Sequence, residues 1–199
     1  MATKFSHKIV DWLIANGTIK AEDREIYLYG LQQGLIMILN IITTIIIGFC
    51  LSMVWQSIVF MVAYIPLRSF AGGYHARTQL KCYILSIVLT LAVLMMIKFF
   101  PATNVSIMIL TGIASGIIAW LSPMEDSNKP LDEIEVKVYG KKTRVILIVE
   151  ICVIIILLLL KVYTAALTIA ISLFALSVML ILGGLAHLIG HFREEHLRS

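Results

Sequence analysis

Long apolar runs with few interruptions dominate the chain. After a polar N-terminal stretch, six of them follow, at Leu31–Met53, Trp55–Pro66, Leu80–Phe99, Val105–Leu121, Val145–Leu160 and Tyr163–Leu188. A helix needs ~20 residues to cross ~30 Å of hydrocarbon, and most of these runs approach or exceed that length. They predict an all-α integral membrane protein of about six transmembrane helices, folded as a single domain over 1–199. The second run is short. It must be thin, be extended through Leu67–Gly72, or be partly re-entrant. Ahead of the runs, Phe5, Ile9, Trp12 and Leu13 recur near helical spacing while Lys4, Lys8 and Asp11 fall off that stripe. The segment 1–30 therefore reads as an amphipathic helix with a juxtamembrane stretch. It lies either along the membrane surface or against the bundle.

Composition agrees. Hydrophobic residues make up 60% of the chain and charged residues 14%, well below the ~25% of soluble domains. Mean hydropathy is +0.96. The charges are clustered, and their placement predicts orientation. With the N-terminus inside and six crossings, only Lys98 and Lys161 of the 16 basic residues fall outside. Both termini, the loop 68–81 and the basic loop 122–144 then share the cytoplasmic face. The N-terminus is too charged for a cleaved signal peptide. The net charge of +4 gives no indication of nucleic acid in such a chain, although the basic segments suit anionic membrane lipid. Glycines in the spans, such as Gly112, Gly116, Gly183 and Gly184, let helices approach closely and permit a homodimer.

Candidate chemistry concentrates in Arg68-Ser-Phe-Ala-Gly-Gly-Tyr-His75-Ala-Arg-Thr-Gln-Leu-Lys-Cys82. A free thiol, with a pKa of ~8.5, is mostly protonated at neutral pH; a neighbouring imidazole can take the proton and stabilise the thiolate. Arg68, Arg77 and Lys81 carry the sign of charge that favours a thiolate. On one continuous helix, His75 and Cys82 would share a face but stand ~10.5 Å apart along the axis, too far to share a proton. Pairing therefore requires a break. The Gly72-Gly73 pair supplies flexible backbone, so His75 is expected to end one helical element and Cys82 to open the next, where the helix dipole favours an anion. The residues alone also fit a juxtamembrane histidine beside a structural thiol.

The run RSFAGGYHARTQLKC resembles the signature of the accessory gene regulator protein B (AgrB) family of bacterial membrane endopeptidases. The chain's length, its charged N-terminal segment, its spans and its Pro-containing loop Ser122–Leu131 are similar as well. The resemblance implies a cysteine endopeptidase of the bacterial cell membrane with its active site at the cytoplasmic face. It would cut a small AgrD-type quorum-sensing propeptide in its C-terminal part and promote cyclisation to a thiolactone or lactone. It places the catalytic histidine on His75 and the nucleophile on Cys82, and calls for no cofactor or metal.

Around that pair, Arg68 is a candidate oxyanion donor or support. Gln33, Lys129, Lys141 and Lys142 are candidate substrate contacts, although the lysines equally serve topology and lipid binding. His187 and His191 stand at a spacing that can bind zinc, but no further ligand is obvious nearby, and they read as structural or surface residues. Cys50 and Cys152 read as packing residues. Glu150, inside the fifth run, is a functional candidate or a partner of Arg144. A small transporter or peptide exporter without covalent catalysis is the alternative. It would depend on Glu150 and tolerate loss of the Cys82 thiol.

Overall fold

The computed structural model describes residues 2–74, 78–124 and 132–198, with the side chains of 2–5, 79, 187 and 189–198 excepted. His75, Arg77 and Lys129 lie outside the described residues, and so do the side chains of His187 and His191. The chain forms seven α-helices and no strand among those residues. They are α1 (Ala2–Ala15), α2 (Arg24–Cys50), α3 (Val54–Ala71), α4 (Gln79–Phe99), α5 (Asn104–Leu121), α6 (Glu133–Leu159) and α7 (Tyr163–Arg198). Five of them, α2, α3, α4, α5 and α7, are long and apolar enough to cross a membrane. The apolar part of α6, 145–159, is shorter and follows Lys141, Lys142 and Arg144. The architecture is that of an all-α membrane protein.

The short second run is settled by α3, which continues through Leu67 to Ala71 with Pro66 inside it. Proline removes one backbone donor without ending this helix, because Leu67 and Ala71 beyond it are fully buried and hold it in place. The region expected as a loop over 122–144 is shorter. Asp132 N–H donates to Glu135 Oε2, a cap that starts α6 at Glu133. Half of the basic loop is thus the first turns of a helix: its charges interrupt the apolar pattern but not the backbone ladder.

The core is built around α7. From Ala166 to Leu180 nearly every residue is buried, including Ala170, Ile171, Leu173 and Leu176 with no exposed surface. A helix apolar on all sides belongs in the interior. Helices α3, α4, α5 and α6 pack around it. The outward faces of the bundle carry large apolar side chains, with Phe49 of α2 77% exposed and Trp120 of α5 85% exposed, as hydrocarbon contact requires.

Helix α1 folds back on α2. Val10 is buried, and Arg24 at the start of α2 pairs with Asp11 at 2.9 Å and lies 3.1 Å from His7 Nδ1. Trp12 is exposed on the outer side of α1. Cys50 and Cys152, expected as packing residues, are instead exposed on the bundle's exterior, and all three cysteines are unbridged.

Candidate active site

The helix break demanded by the His75–Cys82 spacing is present. Helix α3 ends at Ala71, earlier than the His75 end expected from sequence, because Gly72 at φ +77° and Gly73 at φ +120° turn the backbone out of the helix. Helix α4 starts at Gln79, with the Thr78 side chain capping it by accepting from the Lys81 N–H. Cys82 therefore stands in the first turn of α4, where its own N–H donates to Thr78 O at 3.0 Å. Its thiol is free and half-buried. Its backbone is tied down on the far side as well. Ser86 Oγ donates to the Cys82 carbonyl, and the neighbouring Tyr83 hydroxyl meets Thr43 of α2 at 2.7 Å.

The residues leading into His75 are held from three directions. Both terminal nitrogens of Arg68 donate to the loop, one to the Gly72 carbonyl and one to the Tyr74 carbonyl. A planar guanidinium spans two acceptors in this way, so Arg68 sits among the supports of the loop. From the segment after α5, Met124 N–H donates to the Ala71 carbonyl at 2.9 Å. From α7, the Met179 carbonyl accepts from Tyr74 N–H at 3.0 Å. Segment 72–74 is thus fixed by α3, α7 and the 122–124 stretch before chain leads on to His75.

The start of α6 reaches the same end of the bundle. Tyr139 meets the Phe70 ring edge-on at 5.8 Å between centroids, and Lys142 Nζ sits 4.7 Å from the Phe70 centroid. Lys141 is exposed beside it, whereas Gln33 is exposed on α2. Glu150 lies deeper and is buried at 8% exposure; its Oε2 has no hydrogen-bond partner. Arg144 is exposed, so the ion pair weighed for these two residues does not form. No group of three or more His, Cys, Asp or Glu suited to a metal occurs among the described residues.

Sequence reading overlooked Tyr64, Met124 and Met179. Tyr64 stands one turn before Arg68, stacks on Phe60 at 5.2 Å, and lies within electrostatic range of both Arg68 and Cys82. Its spacing of four from Arg68 is the signal that could have found it. Met124 and Met179 act through backbone groups, which no side-chain pattern reveals.

A polytopic helical membrane protein with a helix-breaking Gly-Gly segment feeding a free cysteine on a helix N-terminus is the class defined by this arrangement. The family model for accessory gene regulator B matches residues 6–182, and the chain belongs to that family. Among curated proteins, an AgrB-like protein of Clostridium perfringens (strain SM101 / Type A) is 26% identical over 117 residues, 55% of this chain and 55% of the relative. AgrB-like protein 2 of Clostridium perfringens (strain 13 / Type A) is 25% identical over 117 residues, again 55% of each chain. AgrB-like protein 1 of the same strain is 27% identical over 128 residues, 64% of this chain and 68% of the relative. The match thus spans about half the length of the first two relatives. No solved structure matches significantly.

Proposed function

We propose that this chain is a cysteine endopeptidase of the cell membrane that uses His75 and Cys82 to cut a small AgrD-type propeptide in its C-terminal part. The observation that carries this reading is the placement of Cys82. A free, half-buried thiol occupies the first turn of α4, directly after a break whose entry is held by Arg68, Met124 and Met179. A break of this kind lets a histidine in the connection reach back to the thiol, as a continuous helix does not.

In the proposed reaction the Cys82 thiolate attacks a peptide carbonyl. The C–N bond breaks, the His75 imidazolium protonates the leaving amine, and the N-terminal part of the propeptide remains as a thioester on Cys82. A thiol or hydroxyl of the same peptide then attacks that thioester while the neutral His75 takes its proton; the C–S bond to Cys82 breaks, a thiolactone or lactone forms, and the Cys82 thiolate and His75 imidazolium are restored. Hydrolysis would compete with cyclisation, so a thiol shielded between helices at the lipid–water boundary suits this chemistry. Arg68 acts as loop support, and Lys141 and Lys142 face the arriving peptide. The basic residues at this end of the bundle support a cytoplasmic site; with α6 as a sixth crossing, the N- and C-termini lie on that same side.

The test is cleavage of a co-expressed propeptide. Cys82→Ala and His75→Ala should each abolish the product while the protein still inserts in the membrane. Retained cleavage in Cys82→Ala would overturn the reading. One observation favours the transporter alternative, the buried and partnerless Oε2 of Glu150. On that reading Glu150→Gln is damaging and Cys82→Ser is harmless.

A further inference from the structure

We infer that the last helix, α7, belongs to the catalytic machinery, with Gly183 as a positioning residue that seats segment 72–74 and thereby aims His75 at Cys82. The inference rests on the peptidase reading above.

A glycine inside a helix costs about 1 kcal/mol relative to alanine, so it needs a packing reason. At Gly183 the reason is close backbone approach. A Cβ there would meet Tyr74 N at 2.8 Å, Gly73 C at 3.0 Å and Met124 Sδ at 2.7 Å. The methionine could move, but the two backbone atoms could not readily do so. A Cβ on Gly73 would meet the Arg68 guanidinium and the Met179 carbonyl, and one on Gly72 the backbone of Met124. The Met179 carbonyl, one turn before Gly183, holds Tyr74 N–H at 3.0 Å. The neighbouring Gly184 differs: a Cβ there meets only Met124 Cε, at 3.4 Å, an ordinary contact. The requirement for glycine is therefore specific to position 183.

The consequence is geometric. Tyr74 is bonded directly to His75, so displacing it from α7 displaces the imidazole. Proton transfer needs heavy atoms within ~3 Å, and a misplacement of ~1 Å can cost about a hundredfold in rate. Because α7 is the most buried of the five candidate spans, it offers a rigid reference for that placement.

The experiment uses the full chain in membranes, in a Cys50→Ser, Cys152→Ser background so that an alkylating reagent reads Cys82 alone. Iodoacetamide labelling is followed across pH. At about pH 6, where an unassisted thiol is almost wholly protonated, the parent should label at least about tenfold faster than His75→Ala; at about pH 9 the two should converge. Gly183→Ala should follow His75→Ala within about twofold across the range, and Gly184→Ala should follow the parent. Gly73→Ala, at φ +120° and with a Cβ that would meet the Arg68 guanidinium and the Met179 carbonyl of α7, disturbs the same seat from the loop side; it should match Gly183→Ala and replaces it if that variant fails to accumulate. Should either variant keep the parent profile while His75→Ala loses it, the positioning role is overturned and the His75–Cys82 pairing stands. Should His75→Ala itself keep the parent profile, the pairing fails and this inference fails with it.

Discussion

The guanidinium of Arg68 donates to the Tyr74 carbonyl, the carbonyl of the peptide bond that joins Tyr74 to His75. A second donation goes to Gly72, so one side chain of α3 fixes both ends of the glycine turn. Lysine carries the charge but lacks the planar fork. Arg68→Lys should therefore insert normally and cleave propeptide about 10- to 100-fold more slowly, the equivalent of ~1.5–3 kcal/mol for a hydrogen bond from a charged donor. Single-turnover cleavage measures it, and an unchanged rate would remove Arg68 from the support of the loop.

Glu150 provides the discrimination between peptidase and transporter. Its carboxyl is buried and makes no ion pair with Arg144, and it stands about three helical turns along α6 from Tyr139, which packs on Phe70 beside the break. Glu150→Gln keeps shape and hydrogen-bonding capacity, so propeptide cleavage should remain within about twofold of the parent. Loss of all cleavage in a normally inserted Glu150→Gln protein would make this residue part of the chemistry.

Lys141 is exposed at the start of α6, and Lys142 lies over Phe70, close to the break. If they meet an acidic substrate segment, Lys141→Ala with Lys142→Ala should raise KM several-fold and leave kcat near the parent value. Salt should raise KM in the parent and have less effect in the double variant, because exposed charges are screened over ~8–10 Å at physiological ionic strength. An equal salt response in both would leave these lysines to topology and lipid.

Orientation is testable with single cysteines in a background lacking the native three. A membrane-impermeant maleimide added outside intact cells should label Thr103→Cys, between α4 and α5, and spare Thr78→Cys, at the cap of α4. The reverse pattern would put the candidate site on the outer face.

Much of the fold was legible because membrane helices announce themselves. Every apolar run falls on a helix, with only Leu51–Met53 and Leu160 running past a helix end, and α4 and α5 begin within one residue of their runs. The start of α6 was not legible in the same way, since a charged amphipathic turn reads as loop when hydropathy is the guide. Nor could hydropathy show that α7 is central, although its Ala, Ser and Thr residues on several faces are what a buried helix needs to admit close neighbours. At the site, pairing His75 with Cys82 required a break; the sequence put it between His75 and Cys82, whereas Gly72-Gly73 ends α3 at Ala71 and α4 already starts at Gln79. The supports from Met124 and Met179 are backbone groups far away in sequence, and only the folded chain brings them to Tyr74.

The most direct measurement is mass spectrometry of the full-length protein rapidly quenched with propeptide. An adduct on Cys82 with the mass of the propeptide's N-terminal part, released by hydroxylamine and missing from Cys82→Ala, is the predicted result. Turnover proceeding in Cys82→Ala, or accumulating product in the parent with Cys82 unmodified at every quench time, would contradict the account.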